Sequence, residues 1–197
     1  MSMKVLLSGV TGTGLAAATA EALASGDAAA IILMGKSQAE AQAMMDDINH
    51  KYPKVKLLFI TVDFGRLASV REAAEAIRKL EVPIDGFVGY PTVMAALWNK
   101  TEDGIESHFQ NNYLSHFLLI NLVVHLMPAG SRVVMVCSSI RPEAPPPAWD
   151  DPNFAVSVAP VWIRLLKVTT RVFVGCRMGR HIIHWMHMLY RCLPTFR

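Results

Sequence analysis

Ser8, Gly9, Gly12, Gly14, Leu15 and Ala16 stand where a short apolar run gives way to an alanine-dense segment. Glycines in such a turn let the backbone approach a pyrophosphate, and the helix that follows offers it free N–H groups and a partial positive charge. The same glycines also suit an ordinary tight turn between strand and helix. Lys36 directly follows the second apolar run. A residue there lies beside an adenosine ribose, where an acid suits the 2′-hydroxyl of NAD and a cation suits the 2′-phosphate of NADP. Lys36, with no acid beside it, favours NADP; a solvated surface lysine is the alternative. Asp63 ends the third apolar run. Its carboxylate can accept a bond from an adenine amino group or cap the following turn.

These positions need a regular scaffold, and the hydrophobic pattern supplies one. Apolar runs over 4–10, 29–34, 55–62, 84–88 and 131–136 predict five buried strands. Between them, 15–23, 38–50 and 69–80 predict helices, the last with Val70, Ala73, Ala74 and Ile77 at helical spacing. Thr101 is the expected cap of a long helix from about 102 to 127. Strands alternating with helices imply right-handed crossovers and a parallel sheet covered on both faces. The expected fold is therefore α/β, a doubly wound parallel sheet of the Rossmann-like kind, incomplete toward the C-terminal end.

The order and spacing of several further segments are more specific. They are Val62, Asp63 and Phe64 followed by Leu67 to Arg71, Ile84 with Asp85, and Thr101 to Gly104. Phe109 to Phe117 and Pro128 to Ser139 continue the series. Residues 3–140 with these pieces resemble the short-chain dehydrogenase/reductase family, especially its retinol-dehydrogenase-like members common in fungi. The resemblance implies that Asn112 organises a water-mediated proton relay and that Ser138 hydrogen-bonds the substrate carbonyl or hydroxyl. It assigns Gly9, Gly12, Gly14, Leu15, Lys36, Asp63 and Gly89 to cofactor binding, with NADP as the cofactor. It implies a carbonyl or alcohol on an apolar small molecule as substrate, a setting in secondary metabolism, and a homodimer formed through helix 102–127.

The sequence departs from that family in three places. Family members carry a Tyr-x-x-x-Lys motif, whose spacing puts the acid/base phenol and the cation that lowers its pKa on one helix face. After Ser138 the only tyrosine is Tyr190, with Pro194 four residues on, and the only lysine is Lys167, with Ile163 four residues before it. The glycine-rich turn carries one extra residue, and Ala16 stands where glycine is usual. Gly89, Tyr90, Pro91 and Thr92 replace the Asn-Asn-Ala-Gly that walls the nicotinamide pocket, and Pro91 removes a donor there.

Three regions follow from this reading: a dinucleotide-binding domain over 1–140, a Pro-rich loop over 141–154, and a divergent basic tail over 155–197. Residues 1–151 hold 12 Lys/Arg and all 16 Asp/Glu, a charge of −4, whereas 152–197 hold 7 Lys/Arg and no acid, a charge of +7. So abrupt a change points to a retained intron, a shifted reading frame or a truncated pseudoenzyme. Without the family's last strands, the sheet is expected to leave an edge prone to aggregation.

His181, His184 and His187 invite a metal reading, but no acid or suitably placed cysteine joins them. Basic residues among Trp162, Phe173 and Trp185 invite a membrane-surface helix, against which the β-branched run from Val168 argues. Nucleic-acid binding by the tail has no motif behind it. The longest apolar run, 114–127, contains His116 and His125 and is shorter than the ~20 residues of a membrane span. The N-terminus lacks a signal peptide's pattern, and Cys137, Cys176 and Cys192 form neither a disulfide framework nor a zinc motif. The expected setting is cytoplasmic. Two functions stay open: an NADP-dependent oxidoreductase, or a catalytically impaired relative that binds a nucleotide or a partner.

Overall fold

The computed structural model describes residues 3–90, 92–93, 96–136, 151, 153 and the backbone of 176–177. Ser138, Pro91, the Pro-rich run 141–149, Lys167, Tyr190 and the three tail histidines lie outside the described residues.

Strands and helices alternate as the hydrophobic pattern requires: β1 (Lys4–Ser8), α1 (Gly14–Ser25), β2 (Ala30–Gly35), α2 (Gln38–Lys51), β3 (Lys56–Thr61), α3 (Leu67–Arg78) and β4 (Gly86–Gly89). A composite helical segment follows: α4 (Ser107–Phe109), a π turn over Gln110–Leu114, α5 (Ser115–Val123) and a 3₁₀ turn over Val124–Leu126. Strands β5 (Arg132–Met135) and β6 (Cys176–Arg177) complete the elements among the described residues.

The sheet order is β3-β2-β1-β4-β5-β6. The first five strands are parallel, in agreement with the sequence-based expectation. β6 instead runs antiparallel along β5, with Arg132 opposite Arg177 and Val133 opposite Cys176. This part of the tail thus covers part of the sheet edge. Strand order reverses between β1 and β4, where Val5, Leu6 and Leu7 pair with Gly86, Phe87 and Val88. In open α/β sheets the crevice outside the carboxyl ends of such strands is where ligands bind.

Alternation along the strands feeds two cores. Leu6, Ile32 and Phe87 join Val70, Ala74, Ile77, Leu119 and Val123 under α3 and α5. Leu7, Ile31 and Leu33 join Ala16, Ala20, Ala24, Met45 and Ile48 under α1 and α2. The three alanines recur every four residues and so form one face of α1. Their small size seats the helix close on the sheet.

The long helix starts later than its sequence suggests. Thr101 does not cap it; the Thr101 hydroxyl donates to Gln110 Oε1, and a tight turn intervenes with Gly104 at φ 74°. Glu106 is the cap: its carboxylate accepts the amides of His108 at 3.1 Å and Phe109 at 2.8 Å. Burial acts to raise the Glu106 pKa. The bonds from the His108 ring and from the Phe109 and His108 amides outweigh it and hold the carboxyl below its usual range. Asn153 binds this turn from outside, its Oδ1 accepting the Glu106 amide at 2.9 Å and its carbonyl accepting Trp98 Nε1 at 3.0 Å. Among the described residues no helix is long and apolar enough to cross a membrane.

Candidate active site at the β1/β4 crevice

β1 delivers Ser8 and then Gly9 to the crevice. Gly9 has φ 71°, and a Cβ on it would lie 3.0 Å from both Cβ and the carbonyl oxygen of Tyr90. Only glycine permits this turn and this approach. The turn folds back on itself through a bond from the Thr13 amide to the Thr11 carbonyl. Its tip rests on α2: a Cβ on Gly12 would lie 2.1 Å from the Glu40 carbonyl oxygen.

Gly14 opens α1, and a Cβ there would meet nothing within 4 Å. Thr13, the residue before the helix, is extended and makes no side-chain capping bond. The first-turn amides therefore lack a side-chain cap at a helix end that carries partial positive charge. Leu15 is 70% exposed beside them. Ala16, in the place of the usual glycine, is buried against the sheet.

Past the ends of β2 and β3, Lys36 Nζ lies 2.9 Å from Asp63 Oδ2, with the lysine largely exposed and the aspartate mostly covered. Asp63 Oδ1 also accepts the Gly65 amide at 2.9 Å. Burial acts to raise the Asp63 pKa, but Lys36, the Gly65 amide and Arg66 together hold it below its usual value. Lys36 and Asp63, read from the sequence as separate contacts, therefore form one ion pair. Asp63 also caps the turn after β3.

On the other side of the crevice, Gly89 leaves room for Met135: a Cβ would fall 2.5 Å from its Sδ. The Tyr90 hydroxyl bonds Thr19 on α1. Asn112 sits in the π turn, a helical irregularity frequent at functional sites. Its Oδ1 accepts the amides of Thr92 and Val93 at 2.9 and 3.0 Å, and its Nδ2 donates to the Val93 carbonyl at 2.6 Å. Asn112 is thus a clamp on the backbone after β4.

A second set of residues, Ser8, Ser115 and His116, had been given no contact or role of their own from the sequence. His116 Nε2 lies 2.9 Å from Ser8 Oγ, and its Nδ1 lies 3.0 Å from the Asn111 carbonyl oxygen. The ring stacks on Phe64 at a centroid distance of 4.4 Å and meets Phe87 edge-on. Burial pushes the imidazole down to about 4, against the opposing pull of the Asn111 carbonyl. The Ser115 hydroxyl donates to the Phe64 carbonyl at 2.6 Å and ties α5 to the turn after β3. The available signal was the spacing Asn112-x-x-x-His116, one helical turn, in an otherwise apolar run.

The family model for short chain dehydrogenase matches residues 4–148. Oxidoreductase fscI of Fusarium equiseti is 32% identical over 156 residues, covering 76% of this chain and 60% of that protein. The WW domain-containing oxidoreductase of Gallus gallus is 31% identical over 140 residues, covering 70% of this chain and 34% of that protein. The chain therefore spans only part of the length of these relatives. Among solved structures, a blue fluorescent protein from a metagenomic library, in complex with NADPH, superposes with a TM-score of 0.57 at 25% identity, covering 71% of this chain and 57% of that one.

Proposed function

This chain belongs to the short-chain dehydrogenase family, and on that premise we propose that it binds NADP(H) at the β1/β4 crevice and serves an oxidoreductase reaction on a carbonyl or alcohol of an apolar small molecule. The observation that carries the reading is the start of α1. Its first-turn amides have no side-chain cap, the space over Gly14 is open, and the exposed cation Lys36 follows the neighbouring strand. That donor set fits a dinucleotide carrying a 2′-phosphate. The NADPH complex of the metagenomic blue fluorescent protein supports the same cofactor.

In this reading Gly9, Gly12 and Gly14 shape the turn, and the amides from Gly14 and Leu15 onward receive the diphosphate. Lys36 turns from Asp63 toward the 2′-phosphate, leaving Asp63 to accept from the adenine amino group. The dinucleotide supplies or accepts the hydride when bound. Gly89 and the Thr92–Val93 backbone held by Asn112 wall the nicotinamide end. Ser138 holds the reacting oxygen. A role in secondary metabolism, a cytoplasmic setting and a homodimer through 102–127 are part of the same proposal.

A second reading, nucleotide binding without turnover, is favoured by one observation: no Tyr-x-x-x-Lys follows Ser138 in this sequence. A phenol near its ordinary pKa of ~10 is a poor proton partner at neutral pH without a nearby cation. Titration of the full chain with NADPH, followed by fluorescence, tests the shared core of both readings. Saturable binding with preference over NADH is expected, and its absence refutes them. Oxidation of bound NADPH by a panel of apolar ketones and aldehydes then separates the two.

A further inference from the structure

In an α-helix the Asn111 carbonyl would accept the Ser115 amide, but within the π turn that amide goes to Gln110 instead. The His116 side chain, 3.0 Å away, takes its place. A carbonyl only accepts, so Nδ1 carries the proton. With the ring neutral, Nε2 accepts from the Ser8 hydroxyl at 2.9 Å. Ser8 Oγ in turn accepts the Tyr90 amide at 3.4 Å. A one-way chain of donors therefore runs Tyr90, Ser8, His116, Asn111. It joins the residue after β4, the end of β1 and the π turn. Ser8 and His116 are no more than 1% exposed, so a donor or acceptor lost here is not replaced by solvent.

Asn112 is the next residue along this turn, and its side chain holds Thr92 and Val93. We propose that His116 is the positioning residue of this site: its Nδ1–H completes the Asn111 carbonyl, fixes the π turn, and so aims Asn112 at the backbone that walls the pocket. The link from this wall to the cofactor rests on the function proposed above; the link from His116 to the wall does not.

The test is hydrogen–deuterium exchange of the segment containing the Thr92 and Val93 amides in the full chain without cofactor. His116→Asn keeps a donor at the δ position facing Asn111. His116→Gln moves the amide outward to the ε position facing Ser8. His116→Phe keeps the stack on Phe64 and loses both bonds. Exchange at 92–93 is expected to rise about tenfold in the Gln and Phe variants, the weight of roughly one net hydrogen bond. The Asn variant stays near wild type, and β2 amides over 31–33 remain protected in all three. Unchanged exchange in His116→Phe, or an Asn variant no better than Gln, overturns the proposal. Nitrogen-15 spectra of the wild-type ring need no variant: a protonated Nδ1 with a bare Nε2 supports it, and the opposite tautomer overturns it. Parallel NADPH titrations keep the two ideas apart. A wild type that binds no NADPH refutes the proposed function while the exchange result still decides the role of His116.

Discussion

Acidification from pH 7 to pH 5 removes about 2 kcal/mol of folding stability through His116 alone. Burial moves its imidazole from 6.5 to about 4 in the folded chain, and its partners Ser8, Asn111, Phe64 and Phe87 are uncharged. Because the folded value is the lower one, the unfolded chain binds the proton first. The contribution is complete above the unfolded pKa, falls away below about 6.5 and is gone below about 4. The whole span is worth about 3 kcal/mol at ~1.4 kcal/mol per pH unit, most of it lost before pH 5. The assay is urea unfolding of wild type and His116→Asn at pH 7, 6 and 5. Asparagine does not titrate, so the difference between the two proteins isolates this residue from every other ionising group. That difference is expected to shrink by about 2 kcal/mol, equivalent to roughly 4–8 °C in melting temperature for a chain of this size. A difference constant to within about 0.5 kcal/mol would mean that the ring is hydrated or protonated in the folded state, and the reasoning fails.

Lys36→Glu should weaken NADPH binding by about tenfold or more while leaving NADH little changed, because it removes the charged donor proposed for the 2′-phosphate; equal losses for both cofactors in a titration would refute that role. Leu119→Ala, at a fully buried position under α5, should cost about 2–5 kcal/mol in chemical denaturation. A loss below about 1 kcal/mol would mean that α5 does not pack as described. Glu106→Gln should flatten the acid limb of the stability profile. The folded pKa of Glu106 is depressed, so its contribution is present above the unfolded carboxylate range and is lost as pH falls through the folded value; identical acid limbs for wild type and variant would contradict this.

The scaffold was legible where a single period dominated. Val70, Ala73, Ala74 and Ile77 were read as one helix face, and all four are buried. The start of the long helix was misplaced because Thr101 has the better capping propensity, whereas the fold uses the buried carboxylate of Glu106 after the turn at Gly104. In the candidate site, the glycine turn, Lys36 and Asp63 were visible because each adjoins the end of a strand. The pairing of Lys36 with Asp63 was not, since it depends on β2 and β3 lying side by side. Ser8 and His116 are 108 residues apart, and no local pattern announces a contact across that distance. Asn112 was picked out by family likeness, but its grip on Thr92 and Val93 needed the π turn, which a period of 3.6 cannot reveal.

The central place of β1 imposes an order in time. Its pairing with β2 closes over a short stretch of chain, but its other edge waits for β4, whose partner residues lie about eighty positions later. At the usual pace of synthesis, ~5–20 residues per second, roughly 3–10 s pass between the emergence of β2 and that of β4. Through that interval Val5, Leu6 and Leu7 present an unpaired apolar edge to whatever is nearby. The yield of native protein is then set in part by translation speed between residues 35 and 89 and by what shields that edge until β4 arrives.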